Sequence, residues 1–228
     1  MTRGLAGGLL LAALPSPAIA QSFGVEATTD EVRRGLSWSG GRASASADAA
    51  LGLGHVEASA RAAALRGSPR HSGADAVIDT GLATSFDIGP ARLRLEGVHH
   101  AFTGASGKAD FSELGASADY TYGPVQLVAG AFYAPSQASI GGSNLYLYAN
   151  ANAGIPATPV TLTAGIGRSS GDVDNSARSQ RLRPGGTYLN WRLGAEYSLG
   201  VAAVGIDYLG SNAACSGNRV AARLRFGF

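Results

Sequence analysis

The sequence predicts an all-β chain folded as a single antiparallel transmembrane β-barrel of about twelve strands, with both termini periplasmic. Three observations predict it. Apolar and polar residues alternate with period two along most of the chain, the mark of strands with unlike faces. Short turns and longer polar links alternate strictly between those strands. No segment after residue 20 holds the ~18 consecutive apolar residues of a membrane-spanning helix, so a sheet in lipid has to close on itself to satisfy its backbone.

Residues 1–20 read as a signal peptide. Arg3 supplies the positive start and Leu5 to Leu14 a short apolar run. Ser16-Pro17-Ala18-Ile19-Ala20 ends in an A-x-A step, so cleavage is expected before Gln21. Residues 21–228 then form the barrel domain, with no second domain or linker in view. Loss of Arg3 leaves 17 basic residues against 16 acidic ones. That balance argues against a nucleic-acid partner, which needs a basic excess or patch. Apart from Lys108, every basic residue is arginine, which stays charged in a confined polar interior and pairs well with carboxylates. The single cysteine, Cys215, excludes an internal disulfide and a cysteine-based zinc site. No cofactor is expected.

The last strand shows the alternation best. Val220, Ala222, Leu224, Phe226 and Phe228 share one face; Arg219, Arg223 and Arg225 lie on the other. Lipid outside and a polar lumen inside explain both rows. A terminal Phe228 on such a strand resembles the signal read by the barrel assembly machinery. Residues 188–199 repeat the pattern, with Leu189, Trp191, Leu193 and Tyr197 opposite Asn190, Arg192 and Glu196. In 91–97 Leu93 and Leu95 alternate with Arg92, Arg94 and Glu96. In 75–88 Ile78, Leu82 and Phe86 oppose Asp75, Asp79 and Asp87. In 42–51 alternate alanines oppose Arg42, Ser44, Ser46 and Asp48. Weaker versions at 22–30, 55–65, 111–122, 125–133, 144–153, 160–168 and 201–209 complete the set.

Leu53-Gly54, Asp87 to Pro90, Tyr122 to Pro124, Ile155 to Pro159 and Leu199-Gly200 are the short turns. The longer links are 31–41, 66–74, 102–110, 134–143, 169–186 and 211–217. Barrels of the outer membrane have short periplasmic turns and long outer loops. The expected location is therefore the outer membrane of a Gram-negative bacterium. Aromatic residues are sparse, at 7%, so any interfacial girdle is thin.

Several segments are similar, in order, to those of the TorF-family porins. Val32-Arg33-Arg34-Gly35-Leu36-Ser37 keeps the Arg-Gly step of that family's first loop, with Arg33 in place of an aromatic residue. Asp79-Thr80-Gly81-Leu82, Phe111-Ser112-Glu113-Leu114 and Tyr188-Leu189-Asn190-Trp191-Arg192-Leu193-Gly194 also resemble it. The family's tyrosine-rich stretch near the fifth strand is Val98-His99-His100-Ala101-Phe102 here. The resemblance implies a porin-like barrel in the outer membrane and names no solute.

Strand parity points Arg42, Arg61, Arg92, Arg94, Arg192, Arg219, Arg223 and Arg225 into the lumen. It points Asp48, Glu57, Glu96, Glu113, Asp119, Glu196 and Asp207 there too. Two readings of this lining stand. The charges fill the lumen with ion pairs and close a structural or adhesive barrel, or they line a narrow pore for passive diffusion of small polar solutes, anions among them. Eight strands fill their interior and sixteen leave a channel, so twelve does not decide. The expected partners are outer-membrane lipid and lipopolysaccharide, the assembly machinery and a small polar solute.

No catalytic or metal site is expected. His99 and His100 are adjacent, so in a strand they face opposite ways and cannot share a metal. His100 goes inward, with Ser112 or Ser117 on the next strand within range, but no spacing selects a hydrolytic set. Asp172-Val173-Asp174-Asn175 lacks the glycine and late glutamate of a calcium loop. It reads as surface loop, with Arg178, Arg181 and Arg183 as a solvated charge run.

Overall fold

The computed structural model describes residues 21–228; the expected leader, 1–20, lies outside the described residues. In chain order the strands are β1 (Gln21–Thr28), β2 (Val32–Arg33), β3 (Leu36–Ser37), β4 (Ser44–Leu53), β5 (Val56–Ser68) and β6 (Ala74–Ile88). There follow β7 (Ala91–Thr103), β8 (Phe111–Tyr122), β9 (Val125–Gln137) and β10 (Gly142–Gly154). The last four are β11 (Val160–Ser170), β12 (Tyr188–Leu199), β13 (Ala202–Ser211) and β14 (Arg219–Gly227). Two short helical turns, Pro69–His71 and Ser176–Ser179, lie in the connections.

All the strands but β2 and β3 form one closed antiparallel barrel of twelve, each paired with its neighbour in sequence and β14 with β1. The alternation in the sequence is what closes it. At the seam Glu26 stands opposite Arg225 and Ala27 opposite Leu224, so inward residues meet inward and outward meet outward. Closure leaves no unpaired edge, which lipid would not tolerate. Outside, Leu82, Leu114, Leu193 and Ile206 are exposed despite being apolar. An outward face of that kind suits hydrocarbon, not water.

Both ends of the barrel are as the turn chemistry demands. At one end the connections are tight, with Gly54, Gly89, Gly123 and Gly200 all at positive φ, where a side chain is disfavoured. At the other end the strands run further than the alternation alone marks. β7 reaches Thr103 and β9 reaches Gln137, shortening the links expected from 102 and 134.

Among the described residues the β2–β3 hairpin is the strand pair beyond the expected twelve. Val32 pairs with Ser37 and Arg33 with Leu36 around a two-residue turn, Arg34 (φ 51°) and Gly35 (φ 73°). Both central residues are left-handed, as in a type I′ turn. The hairpin pairs with no wall strand and lies inside the barrel.

Candidate functional site

The tip of the hairpin meets the barrel wall at β12 and β13. A Cβ on Gly35 would stand 2.6 Å from Asn190 Cβ and 2.9 Å from the Gly210 carbonyl oxygen, so only glycine fits. Tyr188 donates its hydroxyl to the Arg34 carbonyl at 3.0 Å. Ser216 donates to the Gly35 carbonyl at 3.3 Å.

The hairpin arginines bind the other side of the wall, at β6 and β8. Arg33 lies 2.8 Å from Asp79 on β6, and its guanidinium stacks over Trp38 at 4.4 Å. Arg34 lies 2.5 Å from Glu113 on β8 and 4.5 Å from the Tyr146 ring centre. His100 bridges the two wall carboxylates, with Nδ1 2.7 Å from Asp79 and Nε2 3.2 Å from Glu113. Before the hairpin, Glu31 accepts from Arg61 at 2.8 Å and Arg33 at 2.9 Å. Burial alone would raise the Glu31 carboxyl, but the bond from Arg61 and the two guanidinium charges outweigh it and hold the group below the ordinary carboxylate value.

Above the hairpin, towards the loop end, the interior is an apolar plug. Leu36, Trp38, Leu65, Phe102, Phe111 and Ile140 are all buried there. Trp38 packs on His71 with ring centres 4.3 Å apart. Burial, with Arg181 and Arg70 close by, pushes the His71 imidazole down to about 2, so it is neutral. Arg181 crosses this layer, bonding the Ser139 carbonyl at 2.7 Å, the Ala109 carbonyl at 3.0 Å and His71 Nδ1 at 3.2 Å. Arg183 bonds the Ser143 carbonyl at 2.9 Å. The solvated charge run expected at 178–183 is therefore corrected. Arg181 and Arg183 are buried staples that satisfy loop carbonyls, and only Arg178 is exposed.

Below the hairpin, towards the turn end, lies a polar chamber of about 610 Å³. Arg192 is 2.8 Å from Asp207 in its wall, and Arg223 is 3.0 Å from Glu196 and also touches Asp207. Arg225 lies 2.7 Å from Asp48 across the seam, and Arg219 is 2.8 Å from Asp30. Arg94 sits 2.8 Å from Glu57 and 3.6 Å from Glu96. Asp119 accepts from Gln126, which in turn accepts from Asn152 at 3.2 Å. Glu26 faces the chamber. A side pocket of about 170 Å³ rises past the hairpin between Arg34, Tyr146, Asn190 and Arg192.

Two of the residues read as lining from parity stand apart. Arg92 pairs with Asp87 at 2.8 Å on the turn-end rim, both well exposed. Arg42 lies ahead of β4, which begins only at Ser44. It is exposed, with its Nε donating to the Ser39 carbonyl at 3.2 Å. Gly40 and Gly41, both at positive φ, turn the chain before the strand can start. Alternation left out Glu31, Arg33 and Arg34, and it put Asp79 on the polar face of 75–88 without naming it as a site residue. The signal was present as Leu36 and Trp38, two large apolar residues in an otherwise polar link.

His99 faces outward, its Nδ1 2.9 Å from the Ser112 hydroxyl. Gln137 bonds the Ser112 backbone on both sides, at 2.9 and 2.8 Å, and so fixes the local strand pairing. His100 meets carboxylates, not a serine.

A closed sheet with an apolar outside and a charged inside defines a transmembrane β-barrel. The chain belongs to the Gcw_chp family, bacterial proteins of unknown function, whose profile matches residues 12–225. No curated protein matches it. A chain solved in a study of the in-meso crystallization of membrane proteins superposes with a TM-score of 0.54 at 12% identity, over 91% of this chain and 83% of that one. A loop L8 deletion mutant of OmpT, an outer membrane protein of Vibrio cholerae, gives 0.49 at 12% identity, over 92% and 99%. A refined porin gives 0.45 at 13% identity, over 81% and 62%.

Proposed function

We propose that this chain is an outer-membrane, porin-like barrel that passes small polar solutes by diffusion, and that the hairpin and the apolar layer above it hold it shut. One observation carries this reading. The wall closes without the plug: its strands pair all the way round, while β2 and β3 pair only with each other. A lone hairpin is marginal in water. The side-chain bonds of Arg33, Arg34, Tyr188 and Ser216 are what fix it to the wall. Such bonds break without unzipping a strand. The resemblance to TorF-family porins supports the same reading, as does the chamber below the plug.

In this reading the tight turns face the periplasm and the plugged end faces outward, with residues 1–20 serving as the export leader. Lipopolysaccharide contacts the loop end, where Arg168 is exposed on the same face as its register partners Leu147 and Leu189. The assembly machinery reads Phe228, exposed beside Phe23 at the seam.

The second reading, a closed structural barrel, draws on the depth of packing around Trp38 and Leu65. Swelling of proteoliposomes in small sugars separates the two. The passage reading expects slow uptake through the full chain and faster uptake through Arg34→Ala. Equal, background-level uptake by both supports the closed barrel.

A further inference from the structure

The charges on the hairpin and on the wall around the chamber do not cancel. Each of the arginines that point inward there has a carboxylate of its own within ion-pair distance, while Arg70, Arg181 and Arg183 at the loop end bond backbone carbonyls. They pair off one to one, from Arg33 with Asp79 to Arg225 with Asp48. Three inward carboxylates are left over. Among the described residues Glu26 has neither a hydrogen bond nor an ion pair, and it faces the chamber. Asp119 is held by the neutral amide of Gln126 and the Thr121 hydroxyl. Glu96 has only a share of Arg94, 3.6 Å away and already committed to Glu57 at 2.8 Å.

These three come from different parts of the wall. β1 carries Glu26, while β7 and β8 carry Glu96 and Asp119 on nearly the opposite side. The surplus is therefore spread around the passage, not gathered at one ligand set. The guanidinium groups of the hairpin and the chamber wall stay charged and are already neutralised. Low-dielectric walls focus the field of what remains in the chamber, and that field is negative.

On this basis, and resting on the passage reading above, we propose that the solutes admitted are small cations and amine-bearing molecules, with anions disfavoured. This reverses what the arginine content suggests by itself. The arginines are structural partners, and the unmatched carboxylates set the selectivity.

The test is the zero-current potential of the full chain in planar bilayers under a KCl gradient, its dilute side about 0.1 M, where the Debye length is about 10 Å. The proposal expects a several-fold preference for K⁺ over Cl⁻ and a drift towards parity when the same concentration ratio is kept and the dilute side is raised to about 1 M, where the Debye length is about 3 Å. In Glu26→Gln/Asp119→Asn, which keeps size and polarity, the preference falls towards parity with current retained. Leu193→Ala, on the outer face, leaves it unchanged. An anion preference, or an unaltered potential in the double variant, overturns the proposal while leaving the passage intact. Absence of current through every protein removes the passage reading itself. Swelling with amine and carboxylate solutes of matched size gives the second readout should the double variant insert poorly: faster entry of the amine supports the proposal and faster entry of the carboxylate overturns it.

Discussion

Arg34 reaches 2.5 Å from a carboxylate oxygen of Glu113, a residue 79 positions further along the chain. Arg34 belongs to the hairpin and Glu113 to the wall. The plug is therefore fastened to the sheet by a pair that joins distant parts of the chain, and the pair is more buried on the Glu113 side.

Arg34→Ala leaves the Glu113 charge buried with His100 as its remaining partner. Removing one member of a buried pair costs about 3–5 kcal/mol, and the partial exposure of Arg34 puts this case near the lower end. The unfolding midpoint in urea should fall accordingly. Arg34→Ala/Glu113→Gln should recover part of the loss. A double variant as unstable as the sum of the singles would show that the two groups do not interact.

Gly35→Val should dislodge the hairpin and spare the barrel. The substitution meets Asn190 and the Gly210 backbone and also forces a β-branched residue to positive φ, a cost of roughly 1–2 kcal/mol from the backbone alone. Protease sensitivity should rise across 30–42 while the folded barrel keeps its heat-modifiable migration on gels. Protection of that segment equal to wild type would contradict the tight seating of the tip.

Acid should loosen the plug before the wall. His71 stays neutral in the folded protein down to about 2, whereas the unfolded chain takes up its proton near 6.5. The unfolded or opened state thus binds more protons between these values. Stability is complete above about pH 6.5 and falls as pH drops, by up to about 1.4 kcal/mol per pH unit. Glu31 is held below 4.5, so its contribution is present above that value and is lost below it. Protection factors for hydrogen exchange around 69–73 and 179–183, taken against the intrinsic rate at each pH, should therefore fall between pH 6.5 and 4.5, and His71→Phe should flatten that dependence. Protection factors in the parent protein that do not change with pH would refute it.

The two faces of one strand should respond oppositely to charge. Leu193→Arg puts a guanidinium into hydrocarbon and should cost roughly 2–4 kcal/mol of folding free energy in lipid vesicles. Ser198→Arg, on the inward face near the turn end, should cost far less. Equal effects would contradict the assignment of the outer face to lipid.

Much of this fold is legible in the sequence because barrel strands obey one local rule. In β14 the rows Val220–Phe228 and Arg219–Arg225 already state which face is which. Twelve strands follow from repeating that rule between short turns and long links. The plug is not local. Nothing in Val32 to Ser37 alternates for long enough to mark a strand, and the partners of Arg33 and Arg34 lie on β6 and β8. The same holds for Arg181 and Arg183. Three arginines in a long polar link look solvated, and only the folded loops bring the Ser139, Ala109 and Ser143 carbonyls to two of them. Parity reported which charges point inward. It did not report that the arginines of the hairpin and chamber wall pair off completely and leave carboxylates behind.

The central claim is that a complete barrel is shut by a removable plug. Single-channel recording on the full chain with residues 32–37 replaced by a Gly/Ser linker tests it most directly. The account predicts brief, small openings for the parent protein and long-lived, larger steps for the replaced one. A replaced protein that inserts, keeps its β-sheet circular dichroism and still passes no current would contradict it.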